Sequence, residues 1–228
     1  MSNKSLIMKL SNLSLREREL LFRELRVSIT HHSNAIEGIS LTFGETKRLL
    51  EQGTTADGKP LSEQLIVLGF AKAYDVIIRE ATNPNNNISS SFIKDLHYIM
   101  FEDALKVSGD FIAKPIGAYR MDDRYIRSVD IELSAPNKIS QDLENLLFQY
   151  ANKNINIEQI ADFHIKFEQI HPFADGNGRI GRLLMAFQYI QNDLIPPLIL
   201  NETRQEYLKA LNNKSFLAEF LKQSTFES

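Results

Sequence analysis

With 228 residues, 43% of them hydrophobic, the chain can bury roughly 70% of its unfolded surface and needs no covalent staple to hold one core. It has no cysteine, which excludes disulfides and thiolate metal sites. Its net charge of -3, with 26 lysines and arginines scattered rather than striped, excludes the electrostatic footprint of a nucleic-acid binder, and no apolar run reaches the length of a signal peptide's core or the about 18 residues of a membrane span. The expectation is one domain over residues 1–228, cytoplasmic, with neither nucleic acid nor membrane as a partner; five N-x-S/T sequons are set aside on the same ground.

In chain order, Ser14 with Glu17 and Thr42 with Glu45 read as capping boxes, each opening a helix. The first is expected to run to about His32 with Leu20, Leu21, Leu25 and Ile29 on an apolar stripe, and the second to stop at Gly53. After the loop GTTADGKP, helical periodicity predicts Leu61–Ala81, Ser91–Leu105, Ser140–Ala151, Ile157–Ile170, Asn177–Gln191 and two short helices after Thr203. The stretches NPNNN and Gly109-Asp110 read as loops. One segment departs from the helical pattern. In GAYRMDDRYIRS, Ala118–Met121 is expected to pair with Arg124–Ser128 across an Asp122-Asp123 turn, a single β-hairpin in an all-α fold. Such a hairpin is either an exposed decoration or an edge that takes a substrate segment as an added strand.

The chemistry concentrates at His171–Arg182, HPFADGNGRIGR. Pro172 ends the preceding helix directly after His171, so the imidazole is expected at a helix exit. Gly176-Asn177-Gly178 opens the next helix, where missing side chains let backbone amides approach an anion. Arg179 and Arg182, three apart, share a helical face and point two guanidinium forks at one polyphosphate. Asp175 beside that cradle suits Mg2+, which prefers one or two carboxylates plus phosphate oxygens and water. A neutral histidine facing the cradle takes a proton from an incoming hydroxyl while cations absorb charge on phosphate, which is phosphorus transfer to a hydroxyl.

Three other features carry less. Gly176, Gly178 and Gly181 match a dinucleotide fingerprint, but a helix and Pro172 precede them where a strand is required. His164 reads as a core or positioning histidine rather than a metal ligand, and His31, His32 and His97 as surface or packing residues. Phe163, Phe167, Met185 and Phe187 fit core periodicity.

The motif resembles the signature of the Fic family, H-x-F-x-D/E-G-N-G-R-x-x-R, at every specified position, and the likeness extends from about Ser28 to about Phe220. That resemblance implies a helical Fic-type domain with a β-hairpin flap, and transfer of AMP from ATP to a Ser, Thr or Tyr hydroxyl of a target protein. It implies that His171 is the general base, that Asp175 holds Mg2+ (or Mn2+) and that Phe173 anchors the loop. Gly176, Asn177 and Gly178 would form the anion nest, Arg179 would hold the β-phosphate region and Arg182 the γ-phosphate. Tyr207 and Asn212, in RQEYLKALN, resemble positions near the nucleoside. Gly117, Ala118, Tyr119, Arg120, Met121, Asp122, Asp123, Arg124, Tyr125 and Ile126 match the flap that clamps the target segment. Relatives of the Doc toxin type, which transfer phosphate, carry Lys where this chain has Gly178, so glycine favours AMP transfer; phosphocholine transfer shares the signature.

Ser33-Asn34-Ala35-Ile36-Glu37-Gly38 matches the family's inhibitory pattern, S/T-x-x-x-E-G/N, at each specified position. The resemblance therefore implies an N-terminal inhibitory segment at about 28–38, with Glu37 paired to Arg182 in the room that the γ-phosphate needs. An arginine fork satisfied by an intrachain carboxylate cannot also grip phosphate, and a coupling of roughly 1–3 kcal/mol corresponds to about 5- to 150-fold repression. Expected partners are ATP and a target protein, the chain itself included, and the family's dimers make a homodimer compatible. Two rival readings use the same residues: removal of AMP, with Glu37 positioning a water, and a non-catalytic nucleotide-binding regulator.

Overall fold

The computed structural model describes residues 8–124, 133–151 and 154–225. Among them the architecture is helical: α1 Leu15–Ile36, α2 Phe43–Gln52, α3 Leu61–Ala81, α4 Ser90–Ser108, α5 Ile139–Gln149, α6 Ile157–Ile170, α7 Asn177–Gln191, α8 Arg204–Ala210 and α9 Lys214–Gln223. No helix among the described residues is long and apolar enough to cross a membrane. Both anticipated capping boxes form, Ser14 taking the Glu17 amide and Thr42 that of Glu45, and Gly53 closes α2 at φ 67°. A third box, Asn156 with Gln159, starts α6.

Helix α7 organises the rest. Every residue from Arg179 to Ile190 is buried, so this helix is enclosed on all sides and lies inside the molecule. Ile180, Leu183, Leu184 and Phe187 join a large core with α1, α3 and α4, while Met185 and Tyr189 join a second cluster with α6, α8 and α9. The hairpin α3–α4 packs with its backbones in contact, because a Cβ at Gly69 would collide with the Met100 carbonyl. The N-terminus of α7 thus opens onto the junction of α1, α6 and α8.

Three expectations need correction. Helix α1 runs one turn past His32, to Ile36, which carries Ser33 and Asn34 into buried helix and makes Glu37 its C-terminal cap. Leu20 is 51% exposed, since the first turns of α1 project beyond the core that buries Leu25 and Ile29. No strand forms over Gly117–Arg124, whose backbone is drawn to the loop after α6: the Arg120 amide donates to the Pro172 carbonyl at 2.9 Å. The other arm of the expected hairpin, from Tyr125 and Ile126 through Ser128, lies outside the described residues.

Candidate active site

His171 caps α6 in the left-handed region, φ 50° and ψ 59°, a conformation costly for a residue with a Cβ and tolerated where surroundings impose it. What imposes it is Arg120. This side chain, 1% exposed, donates from Nε to the His171 carbonyl at 2.8 Å, from Nη1 to Asp122 O at 2.6 Å and from Nη2 to Ser134 O at 2.5 Å. One guanidinium therefore ties the base of the flap, the motif loop and the approach to α5 together. The His171 Nδ1 faces the Glu168 carbonyl at 3.3 Å, which in the neutral ring leaves Nε2 as the acceptor. Burial, reinforced by the Arg120 charge and opposed by the Glu168 carbonyl, holds the imidazole below its usual value, so it is neutral near pH 7.

The loop from Phe173 to Gly178 is fixed from inside. Asn177 is buried and uses its amide on the backbone of Phe173 in both directions, accepting from its N–H and donating to its carbonyl, each at 2.9 Å. Phe173 stacks on the His97 ring, centroids 3.9 Å apart. His97 in turn accepts from the Gly117 amide at 2.9 Å and donates to the Asp175 carbonyl at 3.0 Å, and burial pushes it down to about 4, which keeps it neutral. Gly176 sits at φ 80°, and a Cβ there would lie 2.7 Å from the Phe101 ring. The first amides of α7 have no intrahelical acceptor and form a ready anion site.

The two arginines have different partners. Arg179, 4% exposed at its side chain, donates to Asp175 Oδ2 at 2.9 Å and lies over the Phe101 ring. Arg182, 6% exposed, is held by the end of α1: Nε donates to Ser33 Oγ at 2.8 Å, and Nη2 to Ser33 O at 2.9 Å and Glu37 Oε1 at 2.7 Å. Burial pushes the Glu37 carboxyl up, but Arg182 and then Arg179 outweigh it and the group lies below the usual carboxylate range. The carboxylate occupies the bay over Gly178, where a Cβ would fall 2.5 Å from Glu37 Oε1 and 3.0 Å from Arg182 Nη1.

These groups share one cavity of about 300 Å³, whose lining combines Glu37, Glu168, His171, residues 174–178 and Arg182 with Ile165, Tyr207, Leu208 and Leu211. The polar lining suits phosphates and the apolar lining a nucleoside. Tyr207 is 1% exposed and its hydroxyl meets His164 Nε2 at 2.6 Å, so His164 is the core histidine expected, pushed down to about 3 by burial and then by Arg182. Asn212, expected near the nucleoside, is exposed, bonds the Lys209 carbonyl and lies away from the cavity wall, because α8 ends at Ala210 and turns outward. Of the expected flap residues, Arg120 faces inward, Gly117 and Tyr119 are half-buried, and Ala118, Met121, Asp122, Asp123 and Arg124 are exposed.

Apart from the apolar Ile165, Leu208 and Leu211, two ionisable cavity residues escaped the sequence reading. Arg204 donates to the carbonyl of Ile36, at the end of α1, at 2.7 Å and borders the cavity; nothing in its local sequence marks it. Glu168, its Oε1 fully buried, lines the same cavity as Arg182. It stands four residues after His164 and three before His171, a spacing that puts a carboxylate on the face of α6 that carries the motif histidine.

Asp175 is a single hard-oxygen ligand whose side chain is 51% exposed, and no group of three His, Asp or Glu suited to hold a metal exists among the described residues. The donor set fits a hard divalent cation that is shared with phosphate oxygens and water, and does not fit a cage built from protein alone.

Residues 87–189 match the family model described as Fic/DOC family. Protein adenylyltransferase fic-1 of Caenorhabditis briggsae is 28% identical over 198 residues, covering 84% of this chain and 37% of that protein. Protein adenylyltransferase Fic of Nematostella vectensis is 28% identical over 186 residues, covering 80% and 42%. The chain thus spans less than half the length of these curated relatives. Among solved structures, a Fic domain containing signaling protein from Bacteroides thetaiotaomicron shares the fold with a TM-score of 0.83 at 23% identity, covering 94% of this chain and 88% of that one. Fic-1 from C. elegans gives 0.78 at 25% identity, covering 94% and 64%.

Proposed function

Because the chain belongs to the Fic family, we propose that it is a protein adenylyltransferase that transfers AMP from ATP to a Ser, Thr or Tyr hydroxyl of a target protein, and that Glu37 on Arg182 holds it inactive. The observation that carries this reading is the pairing of Arg182 with Ser33 and Glu37 inside the cavity that also holds His171 and the amides of α7. Residues 1–228 form one Fic domain in this proposal, with the inhibitory segment at about 28–38. With ATP as donor, the reaction belongs to the cytoplasm.

The α-phosphate would rest on the amides at Gly176–Gly178, with Arg179 toward the β-phosphate, Arg182 on the γ-phosphate and the nucleoside against Ile165, Tyr207, Leu208 and Leu211. His171 Nε2 takes the proton of the target hydroxyl as its oxygen bonds the α-phosphorus; the bond from that phosphorus to the β-bridging oxygen breaks, pyrophosphate leaves and the imidazolium keeps the proton. Asp175 would hold Mg2+ or Mn2+, which when bound neutralises phosphate charge. The half-buried and exposed flap residues, from Gly117 to Met121, lie next to His171 through Arg120 and would present the target segment. With Glu37 over Gly178, the γ-phosphate has neither its arginine nor its room.

Transfer of α-phosphate label from ATP to protein, with Mg2+, tests the reading in wild type, Glu37→Gly and Glu37→Gly with His171→Ala. Label in the single variant alone supports transfer, brake and base together; label absent from all three refutes it. One observation favours removal of AMP by the same site. Arg182 engages Oε1 of Glu37, a third of that side chain is open, and Oε2 is left to position a water near His171. Loss of AMP from a pre-modified protein in the wild type, with no labelling by Glu37→Gly, selects that reaction.

A further inference from the structure

The Arg182 guanidinium donates to Ser33 Oγ, Ser33 O and Glu37 Oε1, all at the end of α1, and its neighbour on α8 is Tyr207, whose ring centroid lies 5.8 Å away and which brings no charge. Whatever draws the end of α1 out of the cavity strips those three acceptors in one step from a cation that is 6% exposed while α1 is in place. A bare buried guanidinium is costly, so an activated state needs another acceptor until phosphate arrives. Three carboxyls line the cavity: Glu37, Asp175 and Glu168. Glu37 leaves with α1, and Asp175 is already committed to the Gly176 amide at 2.6 Å and to Arg179 at 2.9 Å.

Glu168 remains, and its setting suits the task. Its side chain is 13% exposed, and Oε1 is fully buried with no hydrogen-bond partner, 4.0 Å from His164 Nε2. It lies against the backbone of α7 at Gly181, where a Cβ would fall 2.7 Å from that oxygen, directly before Arg182 in sequence. We propose that Glu168 is the second carboxyl of Arg182, a positioning residue that takes over the guanidinium when Glu37 withdraws and yields it to the nucleotide's terminal phosphate. This rests on the reading of the cavity as a nucleotide site.

The handover carries a proton. The titratable and charged groups facing Glu168 are His164 on α6, Arg182 on α7, Tyr207 on α8 and Glu37 at the end of α1, with Arg204 at the rim and His171 bound to its carbonyl. His164 stays neutral, and burial holds the Tyr207 hydroxyl in its neutral form. With Glu37 in place, burial, and secondarily the Glu37 charge, pushes Glu168 up to about 8 against the pull of Arg182, so at pH 7 it is a neutral acid. Removing Glu37 deletes one upward push and leaves the pull of Arg182 unshared. Glu168 then ionises, and an arriving phosphate, taking Arg182 and adding negative charge, returns the proton to it.

Infrared spectroscopy at pH 7 without nucleotide or target reads the first half. Wild type should show a protonated-carboxyl band that disappears in Glu168→Gln and also in Glu37→Gly, a variant that leaves Glu168 itself untouched. Calorimetry of binding of an ATP analogue with a non-hydrolysable α,β-bridge to Glu37→Gly, in buffers of different ionisation enthalpy, reads the second: uptake of about one proton per nucleotide, lost in Glu37→Gly with Glu168→Gln. A band that persists in Glu37→Gly, or equal proton uptake with and without Glu168, overturns the proposal. The infrared measurement requires no AMP transfer, so it tests Glu168 even in a chain that proves unable to transfer AMP.

Discussion

Ser33→Ala isolates the brake from the chemistry, because Ser33 meets Arg182 and makes no contact with His171, Asp175 or the amides of α7. The hydroxyl, in a residue 3% exposed, accepts from Arg182 Nε at 2.8 Å. Deleting one hydrogen bond to a buried charge costs about 1.5–3 kcal/mol, and each 1.4 kcal/mol is about tenfold in an equilibrium. That loss falls on the closed state, since in the open state Arg182 binds phosphate and Ser33 has left. The ratio of open to closed chains should therefore rise about 10- to 150-fold, up to the ceiling set by Glu37→Gly. Labelling of protein from α-phosphate-labelled ATP measures it, in wild type, each single variant and the double. Ser33→Ala should label at least about tenfold faster than wild type, and the double should match Glu37→Gly within about twofold, because two devices on one switch are not additive. Wild-type labelling by Ser33→Ala refutes the reasoning. So does a double variant that exceeds Glu37→Gly by the factor that separates Ser33→Ala from wild type.

In the Glu37→Gly background, His171→Ala should lower transfer by about 10²–10⁴-fold while ADP affinity stays within about threefold, as checked by labelling and calorimetry. Because the base must be neutral and its value is depressed, transfer by Glu37→Gly should fall on an acid limb whose midpoint lies below that of an ordinary imidazole, about 6.5. In wild type the depressed Glu37 carboxyl keeps the ion pair intact above the ordinary carboxylate range and loses it only as pH falls through a still lower value, so labelling should stay repressed between about pH 5 and 8. Arg120→Ala removes three charge-assisted bonds from buried carbonyls and should cost about 3–5 kcal/mol by urea denaturation, with Arg120→Lys recovering only part, since one ammonium cannot span three directions.

Most of the helical frame was legible because its signals are local. Capping boxes at Ser14 and Thr42, and the stop at His171-Pro172, are set by residues within four positions of each other. The motif was legible for a related reason: twelve consecutive residues carry the base, the nest and both arginines. Illegible were features set by distant packing. Asn177 sits in an anion-binding stretch, yet its side chain faces inward to pair with Phe173, a choice fixed by the loop's need for buried partners. Arg120 read as part of a target-facing edge because alternation cannot reveal that carbonyls from two other segments converge on it. Glu168 escaped the sequence reading because the room its Oε1 occupies depends on Gly181, thirteen positions later.

That space also explains why α7 needs both of its early glycines on one face. Gly178 and Gly181 are three apart, so they lie one above the other along the helix: Glu37 with Arg182 fills the first bay, and Glu168 with His164 the second. On the proposal above, the guanidinium meets three anions in turn: an inhibitory carboxylate, a buried carboxyl and a phosphate. Near pH 7 the closed site pairs Glu37 with Arg182 and Asp175 with Arg179, and Glu168 adds no charge. Adding a triphosphate to that balance without removing Glu37 would bring an excess of negative charge against a carboxylate already paired with the buried Arg182. The brake is thus electrostatic as well as steric, and a glutamine at position 37, equal in size but uncharged, should release it partway while glycine releases it fully.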